Sequence, residues 1–503
     1  MNRSPNISKS KFLQGLQCPK LIWSAYNAKH LFPEVDAGLQ SVFDQGHEVG
    51  SLARKMFPTG IEIDVAGPTD FEGAIQLTQK QLSLRQPIFE ATVSANGGLA
   101  RADILNPVGK DEWDLVEVKS TTALNDIHVP DLAFQTWVFR QAGIHIRRCV
   151  LCFINNQFVR QGEIDPNEFF TFLDVTAEVA KVYGGIGGQI DDMRQTICSE
   201  KCPDVQIGKQ CDSPYTCALH DRCWSFLPAR NVFELYGDRK GRRWDLFQKS
   251  ILRIAEIPAD YSLSAKQGIQ RTTVTSGKPH VSRDAIQTFL NNLQYPLHFL
   301  DFETFSTAIP IFDGTSPYQQ IPFQFSVHVV HEAGAVPEHR KYLADGRNDP
   351  RAEFMRNLKA AIEPVGSVLA FNAAFEKSRM KECAVVLSEH ASWVEAVNQR
   401  VVDLLNPFRA FHYYHPYQNG SASMKSVLPA LTGKDYTGLE IQEGNAASRE
   451  FLRVTFGDVS ESERKRVRQA LDLYCGRDTQ GMVWILDALK RALEVESAAP
   501  TSV

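Results

Sequence analysis

The segment Trp113–Thr122 reads W-D-L-V-E-V-K-S-T-T, and within it Glu117 and Lys119 stand two residues apart. On a β-strand that spacing turns both side chains to one face of the sheet. Asp103, in Arg101, Ala102, Asp103, Ile104, supplies a second carboxylate on the preceding stretch of strand character. Two acids and a lysine suit hydrolysis of a phosphodiester: the carboxylates hold Mg²⁺ or Mn²⁺, and the lysine positions the nucleophile or neutralises developing charge. An alternating, solvated strand face produces the same E-x-K pattern, so the residues alone leave both readings open. A second set lies in the C-terminal half. Asp301 and Glu303, in Leu300–Thr304, form D-x-E-T, Glu376 follows Asn372 by one helical turn, and Tyr474 and Asp478 are spaced i, i+4 on one helical face. Four carboxylates and a tyrosine meet the needs of two-metal phosphodiester hydrolysis, with the hydroxyl orienting the attacking water. Asp403 is a further acid for which a structural role is the stronger reading.

Ten cysteines in 503 residues are too sparse for a disulfide framework, yet five fall between Cys198 and Cys223. That clustering reads as metal binding in a reducing compartment. Cys211, Cys217 and Cys223 are spaced C-x5-C-x5-C, and Cys18 precedes Pro19 far upstream. Thiolates suit an iron-sulfur cluster or zinc.

These groups need elements to carry them. Residues 8–30 read as a helix that Ser8 can cap and Pro19 interrupts, and a second helix spans about 41–56 with Gly46 and His47. Gly98–Leu105 and Trp113–Ser120 read as a β-hairpin, Asp131–Ala142 as a helix and Arg148–Asn155 as a strand. Gly184, Gly185, Gly187 and Gly188 follow a helix instead of opening one, which denies them a dinucleotide-binding role. Residues 225–292 are polar and weakly patterned, the character of a connecting region. A new α/β unit starts near Tyr295. Its strands are Leu297–Phe302, Phe323–Val330 and Ser367–Phe371, Asn372 caps the helix that follows, and a long helix spans Leu471–Leu493. The organisation expected is therefore 1–228, a connector 229–292, a second domain 293–494 and a tail 495–503, all in the α/β class.

Composition bounds the partners. Apolar residues make up 43% and charged residues 22%, the balance of an ordinary globular protein, and the net charge of −5 provides no global field for capturing nucleic acid. Any such surface is local. No apolar run approaches the roughly 18 residues that span a bilayer, and the first dozen residues are polar, so a cytoplasmic protein without membrane contact is expected. No G-x-x-x-x-G-K-[ST] occurs, and a chain without that phosphate-binding loop needs a separate helicase or motor to open duplex.

Asp103 followed by Glu117-x-Lys119 on the next strand resembles the PD-(D/E)XK nuclease superfamily. The resemblance implies a restriction-endonuclease-like domain in which Asp103 and Glu117 hold the metal and Lys119 is catalytic. It further implies that His47 is a third metal ligand, as in RecB-type members, and that Gln135 is catalytic. Gln135 and Phe139 match the Q-x-x-x-Y motif except that phenylalanine replaces tyrosine. Cys18 with Cys211, Cys217 and Cys223 resembles the iron-sulfur nucleases of the AddB and CRISPR-adaptation type. That implies a structural [4Fe-4S] cluster, with zinc as the alternative. Relatives of that type begin their late cysteines C-x2-C, so Cys198 or Cys202 remain alternatives for one ligand. Asp301, Glu303 and Asp478, with Tyr474 as the water-orienting hydroxyl, resemble the DEDD exonucleases of the RNase H-like fold. Glu376 stands where their second motif carries aspartate. The chain as a whole resembles an uncharacterised bacterial family that joins these two nuclease-like parts.

The expectation is a metal-dependent nuclease acting on DNA or RNA, with DNA favoured and two candidate centres. Two other classes compete: one active nuclease domain with the C-terminal domain as a nucleic-acid clamp, and a metal-stapled adaptor that cuts nothing. Phe408, Arg409, Phe411, His412, Tyr413, Tyr414, His415 and Tyr417 offer base stacking or core packing. Arg239, Lys240, Arg242 and Arg243, and Arg464, Lys465, Arg466 and Arg468 before the last helix, offer phosphate contacts or solvated charge.

Overall fold

In the computed structural model, residues 5–65, 67 and 69–494 are described, and the expected tail 495–503 lies outside them. The chain forms two compact units: Met1–Phe226 with Thr307–Gln319, and Leu227–Ser306 with Gln320–Val503. Both are built from helices on mixed sheets, which places the protein in the α/β class. Among the described residues no helix is long and apolar enough to cross a membrane.

The first unit is organised by a seven-stranded sheet. Its order is Ile61–Glu62, Ile88–Ala95, Gly98–Val108, Glu112–Lys119, His145–Ile154 and Phe170–Asp174, with Ile7–Ser8 pairing in parallel with the start of Gly98–Val108. Gly98–Val108 and Glu112–Lys119 are antiparallel, as the hairpin pattern predicts. Glu112–Lys119 and His145–Ile154 are parallel, and the helix His128–Gln141 makes the crossover between them. That helix is buried on most sides because it lies over the sheet and under further helices. Phe134 and Phe139 are fully buried, and Asp131 and Gln135, one turn apart, are buried polar groups.

The expected helix over 8–30 is two, Lys9–Gln17 and Pro19–Asn27, which meet at Cys18. Pro19 cannot donate to the preceding turn and instead starts the second helix, so the break sets Cys18 at a half-buried, extended joint of backbone. Ser8 occupies the capping position of the first helix but its side chain makes no capping bond. The glycine run differs from expectation too. Gly184 and Gly185 separate Thr176–Tyr183 from Ile186–Cys198, and Gly187 and Gly188 lie in the first turn of the latter. The run thus opens a helix, but one preceded by a helix and not by a strand, so the dinucleotide geometry is still missing.

In the second unit the sheet order is Glu338–Leu343, Ile321–Val330, Leu297–Phe305, Val368–Ala370 and Val401–Asp403. The first three strands are antiparallel neighbours and the last two join in parallel. Every residue of Ile321–Val330 is buried, since strands flank it on both sides and helices cover its faces. One of those helices, Glu461–Glu494, is 34 residues long and begins ten residues before the expected start, so Arg464, Lys465, Arg466 and Arg468 lie inside it.

Residues 229–292 are not a bare connector. They fold into Arg242–Gln248, Ala265–Ser276 and Arg283–Asn291, and Val232, Leu235, Leu246, Ile254 and Ile257 make a small core of their own. Ala265–Ser276 carries few apolar residues and gives little signal, whereas Ile286, Phe289 and Leu290 of Arg283–Asn291 stand at helical spacing and do announce a helix.

One glycine fixes the approach to the central strands of this sheet. Gly366 has φ +86°, and a Cβ added to it would lie 2.0 Å from the carbonyl oxygen of Pro296. Gly366→Ala is expected to cost about 2–4 kcal/mol, from backbone strain and overlap together, read as a lower urea midpoint with an unchanged slope.

Candidate functional site

Lys119 and Glu117, two apart on one strand, face the crossover helix that carries Asp131 and Gln135. Lys119 Nζ donates to Glu117 Oε1 at 2.6 Å and to Asp131 Oδ2 at 2.7 Å. Gln135 Nε2 bridges the same two acids, at 2.7 Å to Glu117 Oε2 and 2.9 Å to Asp131 Oδ1. Asp103 Oδ2 accepts the backbone N–H of Val118 at 2.7 Å, which holds its carboxylate beside Glu117. The hairpin thus brings together Asp103, Glu117 and Lys119, and the helix adds Gln135.

Two members of this group escaped the sequence. Asp131 was legible only as a helix residue, and Lys9 not at all. Lys9 Nζ donates to Glu117 Oε1 at 2.7 Å and lies 3.9 Å from Asp131. The group is therefore three carboxylates and two lysines. Burial would raise Glu117, but Lys119, Lys9 and the Gln135 hydrogen bond outweigh it and hold the carboxyl below the usual range. Burial, joined by the charge of Glu117, pushes Asp103 up to about 7 against the pull of Lys9 and Lys119. Removing one lysine leaves an acid with 1% of its side chain exposed short of a partner. Lys119→Ala is accordingly expected to cost about 2–4 kcal/mol in unfolding free energy, measured by urea titration.

His47 stands on a different element from these residues. It lies exposed on the helix Ala37–Arg54 and lines a separate shallow cleft with Glu48, Lys55, Arg160 and Glu163, while Asp103 and Glu117 are not among the cleft's residues. Phe139 sits in the core with no exposed surface, so its ring packs where a tyrosine hydroxyl would need a partner.

Cys18, Cys211, Cys217 and Cys223 line one pocket, together with Leu21, Ile207, Leu219 and His220. The helix that ends at Cys18 is tied to the late loop, for Gln17 Nε2 donates to the carbonyls of Gln210 at 2.8 Å and Tyr215 at 2.7 Å. Burial pushes the Cys18 and Cys217 thiols up, and the neighbouring sulfurs add to it. Cys198 and Cys202 are exposed and do not line the pocket.

The second unit holds an open cleft of about 540 Å³ lined by Asp301, Glu303, Glu376, Tyr474 and Asp478, with Lys425 and Tyr436. Asp301 and Glu303 come from the strand Leu297–Phe305, Glu376 from the first turn of Ala374–Val386, and Tyr474 and Asp478 from the helix Glu461–Glu494. All the acids expected from the sequence therefore share one cavity. The cap is different: Ala373 takes the capping position, and Asn372 adopts φ +76° just before it. Asn372 N–H donates to Asp403 Oδ1 at 3.0 Å, and Leu405 N–H does the same, so Asp403 fastens two backbone turns.

The cleft is strongly acidic. Burial raises Asp301 well above the carboxylate range, and Asp478, Glu303 and Glu376 push it further. Glu303 is raised in the same way, relieved in part by Lys425. Burial and then Asp403 carry Glu376 up to about 8. Asp478 is pushed up to about 6 by burial, although Tyr436, Lys425 and Tyr474 oppose it. Tyr436 hydroxyl donates to Asp478 Oδ1. Burial and the surrounding carboxylates raise Tyr474 far above its ordinary value, so its hydroxyl keeps its proton and acts as a hydrogen-bond donor.

The aromatic segment is mostly core. Phe408, Phe411, Tyr413 and Tyr414 are buried, and the Phe411 and Tyr414 rings stack at 4.5 Å. Tyr417 alone among its tyrosines is exposed, beneath the Arg230 guanidinium at 4.9 Å. Several of the basic side chains have protein partners: Arg243 donates to Leu235 O, Arg466 to Glu440, and Arg468 Nη1 to Ala344 O at 2.6 Å.

The stretch that supplies Asp301, Glu303 and Glu376 is also where the chain meets known sequences. Residues 298–423 match the family described as a domain of unknown function, DUF2779. That match covers about a quarter of the chain. The matched stretch ends before Tyr474 and Asp478, which close the cleft from the last helix. An uncharacterized protein of Mycoplasma genitalium, MG366, is 26% identical over 216 residues, covering 39% of this chain and 32% of its own length. Its homolog in Mycoplasma pneumoniae is 24% identical over 206 residues, 37% of this chain and 31% of its own. The uncharacterized protein UU173 of Ureaplasma parvum is 22% identical over 218 residues, 39% and 31% of the two chains. The chain thus spans about a third of the length of the curated relatives it matches.

Proposed function

We propose that the protein is a metal-dependent nuclease, with DNA the favoured substrate and the C-terminal cleft the principal catalytic centre. The observation that carries this reading is the convergence of Asp301, Glu303, Glu376 and Asp478 on one open cavity with Tyr474 at its side. Carboxyls packed this closely must either keep protons or share a cation, and here each of the four is raised by burial, so a dication that displaces the protons is favoured. The donor set fits Mg²⁺ or Mn²⁺, hard ions that take carboxylate oxygen. Asp301, Glu303, Glu376 and Asp478 would hold them. Such an ion activates water and neutralises charge on the phosphodiester. Tyr474, whose hydroxyl lies in hydrogen-bonding reach of Asp478, would offer its proton to a water in the cleft and orient it toward phosphorus. Lys425 lines the same cavity and offers its charge to a phosphate oxygen. Glu376, although one methylene longer than the aspartate of the DEDD pattern, is buried with Oε2 unpartnered in the cavity wall. This supports an active cleft over a passive clamp. The three-antiparallel, two-parallel sheet of this unit supports an RNase H-like domain, and the strand–strand–helix–strand frame around Glu117 supports a PD-(D/E)XK domain.

Lys9 favours a different role for the N-terminal centre. Its ammonium already occupies the space beside Glu117 and Asp131 in which a divalent ion would sit, so in this reading the first unit holds the strand and the second cuts it. The pocket of Cys18, Cys211, Cys217 and Cys223 fits a thiolate-bound metal. Four thiolates in one pocket suit a [4Fe-4S] cluster, whose thiolates bind separate irons, with zinc as the alternative.

The test is cleavage of end-labelled and circular DNA and RNA, single- and double-stranded, with Mn²⁺ or Mg²⁺, by anaerobically purified wild type, Lys119→Ala, Asp301→Ala and the double variant. Loss confined to Asp301→Ala supports the proposal. Loss confined to Lys119→Ala moves catalysis to the first unit, and no metal-dependent cleavage by any form sinks the nuclease reading.

A further inference from the structure

Between Tyr474 and Asp478, the last helix turns a third side chain toward the acids. Cys475 is fully buried, and its Sγ lies 3.8 Å from Asp301 Oδ2 and 3.9 Å from Asp301 O. One oxygen of Asp301, one of Glu303 and this sulfur all lie within 4.8 Å of one another. The other buried cysteines do not resemble it. Cys149, Cys152 and Cys383 belong to hydrophobic clusters, and the hydrogen-bond partner of Cys149 is a neutral hydroxyl, Thr136 Oγ1 at 3.0 Å. Cys475 instead has its sulfur against a carboxylate in the wall of the acidic cleft. A second observation points to a ligand there: Glu376 Oε2, on a residue with 3% exposure that lines the same cleft, has no hydrogen-bond partner.

Two hard oxygens and one soft sulfur are a mixed donor set. Carboxylates alone prefer Mg²⁺ or Mn²⁺, whereas a thiolate adds strength for borderline and soft ions and almost none for Mg²⁺. We propose that Asp301, Glu303 and Cys475 form a site for a thiophilic dication of the zinc class, overlapping the place of the hard ion. On binding, the thiol proton leaves to solvent and the sulfur takes the ion in its stead. Glu376 is positioned to complete the set. The inference rests on the acidic cleft being a metal centre and adds what metal it takes: zinc would occupy the cleft tightly and exclude the hard ion, so that it inhibits the cleavage that Mg²⁺ or Mn²⁺ supports.

Cadmium-113 is the probe, because its NMR shift reports how many sulfurs surround the ion. The full chain, purified anaerobically with its four-cysteine pocket intact, would be titrated with ¹¹³Cd²⁺ beside Cys475→Ser and Cys475→Ala. The expected wild-type spectrum contains a resonance from an oxygen-rich environment with one sulfur, set apart from any sulfur-rich signal of the other pocket. Both variants should lack it. In cleavage assays with Mn²⁺, half-inhibition by zinc should need about 10-fold more zinc in Cys475→Ser. The wild-type shift decides the matter even if a variant folds poorly. Cadmium held by oxygen alone, or the same resonance in wild type and variants, overturns the inference. A one-sulfur resonance without cleavage of any nucleic acid keeps the metal site and removes the nuclease. Cleavage with an all-oxygen cadmium spectrum does the reverse.

Discussion

Replacing Asp478 with asparagine is expected to lower metal-dependent cleavage roughly 10³-fold, the scale of removing one preorganised electrostatic group, and at the same time to stabilise the metal-free protein. The substitution is nearly isosteric, and the amide oxygen can still accept the hydrogen bond that Tyr436 now gives to Oδ1. What disappears is one acid from a cavity that holds three more carboxyl groups. Asp301 and Glu303 both lie under the influence of that charge, which is the first electrostatic cause, after burial, of their raised values. Relief of the repulsion should raise unfolding free energy by about 1–3 kcal/mol, so the apparent melting temperature after removal of divalent ions should rise. The two readouts together discriminate. A variant that merely disturbed packing would lose stability along with activity, whereas a metal-binding acid trades one against the other. Cleavage undiminished in Asp478→Asn would remove the cleft from the reaction. Falling stability in that variant would show that the acid supports the fold.

Legibility of these sites in the sequence follows from distance along the chain. Glu117 with Lys119, Asp301 with Glu303, and Tyr474 with Asp478 are pairs within one element, and the periods of strand and helix place each pair on one face. The shared cleft of four acids could be assembled from them because each sits at the end of a strand or within a strongly patterned helix. Lys9 meets Glu117 across a sequence separation of 108 residues, and Asp131 is held only because the crossover helix lies over that one strand. No local pattern encodes either contact. Cys475 is hidden for another reason: next to Tyr474 in a helix it reads as core, and only the rotation of the helix against Leu297–Phe305 turns its sulfur toward Asp301. The segment Thr307–Gln319, between two strands of the second unit, packs in the first, where Arg160 Nη1 donates to the carbonyls of Pro310 at 2.8 Å and Ile311 at 2.7 Å. Its sequence looks like any long hairpin loop. His47, which a motif position named, stands exposed on its helix beside Glu48 and Lys55.

The pH dependence of stability separates an acidic metal centre from an ordinary polar cavity most directly. Glu376 titrates at about 8 and Asp478 at about 6 in the folded protein, and Asp301 and Glu303 are raised as well, whereas unfolded carboxyls titrate near pH 4. Between those limits the folded state binds more protons than the unfolded one, so the slope of unfolding free energy with pH is negative. Stability should be full below about pH 4 as far as these groups decide it, and should fall as pH rises through 6 to 8. Asp103, at about 7 in the other unit, acts in the same direction. Glu117 opposes it, but its lowered value adds stability only above the unfolded range and loses it in acid, so it cannot cancel a decline at neutral pH. Glu376 alone should account for a loss of about 4 kcal/mol between pH 5 and 8 after removal of divalent ions, and Asp478 and Asp103 add to it. Mn²⁺ should restore most of it at pH 8 and little at pH 5, because the ion replaces the protons that quiet the repulsion at low pH. Urea unfolding at pH 5, 6.5 and 8, with and without Mn²⁺, reads all of this. A profile that is flat without divalent ions, or one that Mn²⁺ shifts equally at every pH, would mean that the four carboxylates do not share a cation.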